Sequence, residues 1–199
     1  MNRENVQKLI DHLKQVPDGA FNLSTWIDVQ STARLGVEMD SWNAEWLLIR
    51  DRTLAGRVLA TQAGSAGEHT CGTAACIAGY AALIAASEGV VLAETEELPG
   101  LPVHDVQVLA LSWLGIGREV GRALFTPNSA GVCELRIHAD HVPNWYVVTA
   151  NHAIAVLEHL LATGEVDWRR AGWTKEDFSP GMIGIAEDGV SYEEDARDL

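Results

Sequence analysis

Residues 74–86 form the longest apolar run in the chain, and the run is mostly alanine: Ala-Ala-Cys-Ile-Ala-Gly-Tyr-Ala-Ala-Leu-Ile-Ala-Ala. Alanine is the best helix former and loses no side-chain rotamers on folding. A segment of this kind, apolar on every side, predicts a helix covered on every side. The expected helix spans 73–87, with Thr70 or Thr73 as its N-cap. Its alanines and Gly79 would let neighbours approach closely. The run is too short for a bilayer, which needs about 20 apolar residues, and Ser87-Glu88-Gly89 ends it. Covering such a helix takes several others. The expected class is therefore mainly α: a single compact helical domain with a buried central helix and minor β structure.

The covering helices have end signals. Val6, Leu9, Ile10, Leu13 and Val16 follow helical spacing, and Pro17-Asp18-Gly19 stops them. Val106, Leu109, Ala110, Trp113 and Leu114 predict a second helix, with Gly115 at its C-terminal cap. Val120, Ala123 and Leu124 predict a short third one, stopped by Pro127. Thr149 caps a fourth, which runs through Ile154, Leu157, Leu160 and Leu161 to Gly164. Val166, Trp168 and Trp173 beyond it read as packing anchors. Residues 20–60 have a mixed period and read as loops, a short helix and a short strand. Residues 63–67 read as a small-residue linker, and 128–148 as irregular or β-like. No fixed-period repeat is present.

Charge narrows the function. The 199 residues carry 14 Lys+Arg against 28 Asp+Glu, a formal net charge of -14. The excess is spread over both halves, so no basic half hides behind an acidic one. Phosphate backbones and anionic lipids would be repelled, and neither direct nucleic-acid binding nor membrane association is expected. Residues 187–199 hold six acids and one base. They read as an acidic C-terminal tail following a globular domain over 1–186. Three cysteines, an odd number, and an N-terminus without a signal-peptide pattern point to a cytoplasmic protein.

The cysteines are the main chemical candidates. Cys71 lies just before the expected helix and Cys76 in its first turn, where the helix dipole favours a thiolate. A nucleophile also needs a base, and seven histidines are candidates: His12, His69, His104, His138, His141, His152 and His159, of which His69 and His152 are the leading ones. On a helical wheel His152 and His159 fall opposite Ala153, Ile154, Leu157, Leu160 and Leu161, so both are expected to face solvent. The alternative is that small buried thiols simply fill a tight helix start. For metal, His69-x-Cys71-x4-Cys76 and Cys133-x4-His138-x2-His141 offer donors. The paired C-x2-C spacing of zinc sites is absent, and no metal site is expected. No phosphate loop or dinucleotide-binding glycine motif occurs, and no cofactor is expected. The helix pair over 104–125 imitates a helix-turn-helix, but the acidic chain argues against DNA reading. Seven tryptophans are many for this length. Most would pack in the core, and an exposed one would mark a contact surface.

Two resemblances stand beside these readings. Cys71-Gly72-Thr73 and Asn151-His152-Ala153 resemble the motifs of papain-like cysteine proteases, in the same order along the chain. They depart from that family in lacking the Cys-Trp continuation and the later Asn, and in placing the His on a helix. The string Cys71-Gly72-Thr73-Ala74-Ala75-Cys76-Ile77-Ala78-Gly79 resembles small uncharacterised proteins of bacteria and their phages. Patches at Val6 to Leu13, Leu114 to Pro127 and Leu157 to Trp168 share that resemblance, which implies no particular activity.

The leading expectation is a non-enzymatic acidic binding protein that engages a host protein with a basic surface, or a small ligand. If carried by a phage, it would be an accessory or counter-defence protein. Its binding residues would come from Cys71, Gly72, Thr73, Cys76, Trp113 and Trp145. The alternative is a cysteine-dependent hydrolase or transferase using Cys71 with His69 or His152.

Overall fold

A computed structural model describes residues 1–17, 20–23, 27–29, 48–63, 73–90, 105–126 and 148–174. These residues are mainly helical. In chain order they form α1 (Arg3–Leu13), β1 (Ile27–Val29), α2 (Arg52–Ala63), β2 (Thr73–Ala75) and α3 (Ile77–Ser87). They continue with α4 (Asp105–Leu114), α5 (Arg118–Phe125), α6 (Ala150–Thr163) and a 3-10 turn at Trp168–Arg170. Strands β1 and β2 pair antiparallel, with Ile27 opposite Ala75 and Val29 opposite Thr73. None of the described helices is long and apolar enough to cross a membrane.

The alanine-rich segment is the central helix. Every residue of α3 from Ile77 to Ala86 is buried. It packs chiefly on α4 and α2, and also meets α1 and α5, while α1 lies along α6. One continuous core runs from Val6 on α1 to Trp173 beyond the 3-10 turn. The start of α3 differs from the sequence expectation. The helix begins at Ile77, not at 73, because Thr73–Ala75 is drawn into the ribbon with β1. Cys76, not Thr70 or Thr73, is the N-cap.

Helix α2 exceeds what its sequence announces. Its composition is mixed, but Asp51 caps it, with Oδ1 accepting from the backbone N–H groups of Thr53 (2.8 Å) and Leu54 (3.0 Å). Ala55 and Val58 turn inward.

The C-terminal end of α4 is tied to the N-terminal end of α1. Gly115 has φ +61, and its N–H and that of Ile116 return to the carbonyls of Ser112 and Leu111, a Schellman cap. The next carbonyls are served from α1: Asn2 N–H donates to Leu114 O (2.8 Å) and Asn5 Nδ2 to Trp113 O (2.7 Å). A Cβ on Gly115 would sit 2.9 Å from the Asn2 backbone nitrogen. Gly115→Ala is therefore expected to cost about 2–4 kcal/mol, from left-handed strain plus a clash that only backbone movement relieves. The check is the urea midpoint at unchanged m. A loss below about 0.5 kcal/mol would contradict this account of the junction.

Candidate functional site

The cysteine segment enters the described structure at β2. Ala75 is bonded on both sides. It pairs with Ile27 of β1, and its N–H donates to Ala20 O (3.1 Å) while its carbonyl accepts from Asn22 N–H (3.1 Å). Residues 20–22 and β1 thus grip β2 from two edges. The chain then turns into α3 through Cys76, whose backbone is extended (φ -84, ψ -177) and whose Sγ accepts from Gly79 N–H at 3.5 Å. The thiol is 1% exposed. For Cys76, the role seen is that of a small buried cap at a tight helix start.

One turn further on, Tyr80 is wholly buried and locks this entry. Its hydroxyl donates to Ala20 O at 2.6 Å. That carbonyl therefore serves two donors, the Tyr80 hydroxyl and the Ala75 amide, and uses both lone pairs. The Tyr80 ring lies between Phe21, stacked at 6.4 Å, and His12 of α1, tilted at 5.3 Å.

His12 is the histidine that the described structure brings to the cysteine segment. Its Nε2 is buried and has no hydrogen-bond partner among the described residues. Burial pushes the imidazole below its ordinary 6.5, because a proton there has little water around it. The folded pKa thus lies below the unfolded one. Above pH 6.5 both states are neutral and the full stability is present. As the pH falls below 6.5 the unfolded chain takes the proton first, and stability is lost until the pH passes the folded pKa. The Tm of the wild type should therefore fall more steeply between about pH 7.5 and pH 5 than that of His12→Gln. Parallel slopes would remove His12 from the titration.

The residues singled out from sequence separate. His69, Cys71, Gly72 and Trp145 lie outside the described residues, as do Cys133, His138, His141 and the acidic tail. Thr73 is in β2 and Cys76 caps α3. Among the described residues no group of three or more His, Cys, Asp or Glu could hold a metal ion. Trp113 is buried, at 4% exposed, and its indole N–H donates to Glu88 Oε2 at 2.9 Å. Glu88 also takes Lys8 Nζ at 3.0 Å. Burial pushes the Glu88 carboxyl up, but the bonds from Lys8 and Trp113 prevail and hold it below its ordinary value. These three side chains tie α1, the end of α3 and α4 together.

His152 is on a helix, as its context predicts, but it does not face solvent. It is 7% exposed, because Trp173 folds back and stacks on its ring at 4.7 Å. The expectation that this side of α6 faces solvent is wrong: Val156, one turn on and about 40° round, is also fully buried. His152 also completes a capping box with Thr149. Thr149 N–H donates to Nδ1 at 3.0 Å, and Thr149 Oγ1 accepts from His152 N–H at 3.5 Å. Accepting at Nδ1 requires that nitrogen to carry the lone pair, so the bonded ring is neutral. Nδ1 thus holds the helix start, the place that a glutamate or glutamine usually takes.

Sequence reasoning counted His12 among seven histidines without singling it out. The signal was its spacing, three residues after Leu9 and four before Val16, at the edge of the apolar face of α1. Tyr80 and Phe21 carried no comparable signal, since their meeting depends on the chain path through residues 20–22. No protein-family model, curated protein or solved structure matches the chain.

Proposed function

We propose that the chain is an acidic binding domain that engages a protein with a basic surface. The observation that carries this is the formal net charge of -14, spread over both halves of the sequence. Acids stand on the outer faces of several helices: Glu4 and Asp11 on α1, Glu119 on α5 and Glu158 on α6 are all exposed. Such a field attracts cationic surfaces over several ångströms and speeds their encounter. The described chemical candidates are in structural use, with Cys76 and His152 both serving as helix caps. The resemblance to small proteins of bacteria and phages supports reading the partner as a bacterial host protein, and the chain as a phage accessory or counter-defence factor.

The test is capture on the immobilised full chain, identification of what binds, and association kinetics against salt. The partner is expected to be basic, with an on-rate that falls roughly tenfold or more between about 50 and 500 mM NaCl. An acidic partner, or an on-rate indifferent to salt, overturns the proposal. So does turnover of a substrate that Cys71→Ala abolishes.

A further inference from the structure

Helix α5 shows a face whose sign opposes that of the chain. Arg118 and Arg122 stand one helical turn apart and are exposed, while Gly121, Leu124 and Phe125 are buried on the other side. Neither guanidinium makes an ion pair with a described residue. The 3-10 turn is pinned to the same helix, because the Trp168 indole N–H donates to Ala123 O of α5 at 2.8 Å. It brings Arg169 and Arg170, with side chains 59% and 70% exposed. Asp167 bonds Arg169 through both oxygens and lies 3.8 Å from Arg170. Glu119 is exposed on α5, about 100° round from Arg118 and about 60° from Arg122. It ion-pairs with neither, so Arg118 and Arg122 are left without an ion-paired carboxylate among the described residues.

We propose that the acidic segment 187–199 docks within the same molecule on the Arg118–Arg122 face of α5. Charge complementarity and chain connectivity argue for this occupant. The segment carries Glu187, Asp188, Glu193, Glu194, Asp195 and Asp198 against Arg197 alone. It is joined to the arginine corner through the 12 residues 175–186, which extend to about 40 Å, whereas α5 is only about 12 Å long. Such a tether gives an effective concentration on the order of millimolar. Each exposed pair contributes little and is screened by salt. The docking is therefore weak, reversible and electrostatic. It shields the two arginines from outside anions. It also makes the α5 face compete with any basic partner for 187–199, and it does not depend on such a partner existing.

The test is amide NMR on the full chain and on a full-length variant with all six acids neutralised (Glu187→Gln, Asp188→Asn, Glu193→Gln, Glu194→Gln, Asp195→Asn, Asp198→Asn). Neutralisation should move the amides of Arg118 to Phe125. About 0.5 M NaCl should move the same set in the wild type, and much less in the variant. Arg118→Gln/Arg122→Gln in the full chain should move amides within 187–199. Resonances of α5 that ignore neutralisation overturn the proposal. So do α5 shifts that scale with protein concentration, which would mean a second copy, and shifts produced only by an added oligonucleotide, which would mean an external anion.

Discussion

Trp168→Ala is expected to cost about 3–5 kcal/mol, a large share of the roughly 5–15 kcal/mol that holds a domain together. The side chain is fully buried. Its indole N–H serves Ala123 O, one of the last carbonyls of α5, which has no partner within its own helix. Its backbone carbonyl accepts the Trp173 indole N–H at 2.7 Å, and Trp173 in turn covers His152 on α6. Truncation therefore opens a cavity, orphans a helix-end carbonyl and loosens the cover of the α6 capping box. Thermal unfolding should fall by about 10 °C or more. Trp168→Phe should lose about 1–2 kcal/mol, since it keeps most of the area and gives up the hydrogen bond. A loss below about 1 kcal/mol for the alanine variant would mean that this corner does not hold α5 to α6.

Tyr80→Ala is expected to cost a similar 3–5 kcal/mol, with a different signature. The ring separates His12 from Phe21, and its hydroxyl holds Ala20, the residue whose carbonyl also grips β2. Its loss should free the entry to α3. Alkylation of Cys76, followed by peptide mass spectrometry, should accelerate at least tenfold, because the thiol is shut in by the packing that the ring completes. Tyr80→Phe should cost only about 1 kcal/mol and leave alkylation slow, since the Ala75 amide still occupies the Ala20 carbonyl. Equal alkylation rates in Tyr80→Ala and the wild type would show that Tyr80 does not guard the thiol.

The elements legible in the sequence are those whose ends are written locally. Pro17 follows the first helix, Gly115 forms the Schellman cap of α4, and Thr149 and Gly164 bracket α6 with an N-cap and a left-handed residue. The run of alanines identified the buried helix for the same reason, since burial on all sides needs no knowledge of partners. What escaped was decided by distant chain. Thr73 to Ala75 reads as helix by composition, but residues 20–22 and 27–29 claim its backbone hydrogen bonds. The wheel predicts a solvent-facing His152, but its side of α6 is covered: Val156 beside it is buried, and Trp173, 21 positions later, stacks on its ring. Helix α2 lacks a strong apolar stripe, so its period is faint, and only Asp51 marks its start. His12 joins the cysteine entry because α1 packs against α3, a contact that spacing within α1 cannot report.

The alanine content of α3 has a consequence for where the fold gets its uniqueness. Alanine has no rotamers to choose among, so the five alanines among the eleven residues of α3 are ordered at the cost of backbone entropy alone. By the same token, alanines interlock little, and many registers of neighbouring helices would fill space around them about equally well. The information that selects one arrangement must then sit in the shaped side chains that fit a single place: Tyr80 on α3 itself, and Trp113, Phe125, Trp168 and Trp173 around it. Substitutions that enlarge the alanines would be felt by several helices at once, whereas those that shrink the shaped side chains would leave a compact helical globule with its arrangement undetermined.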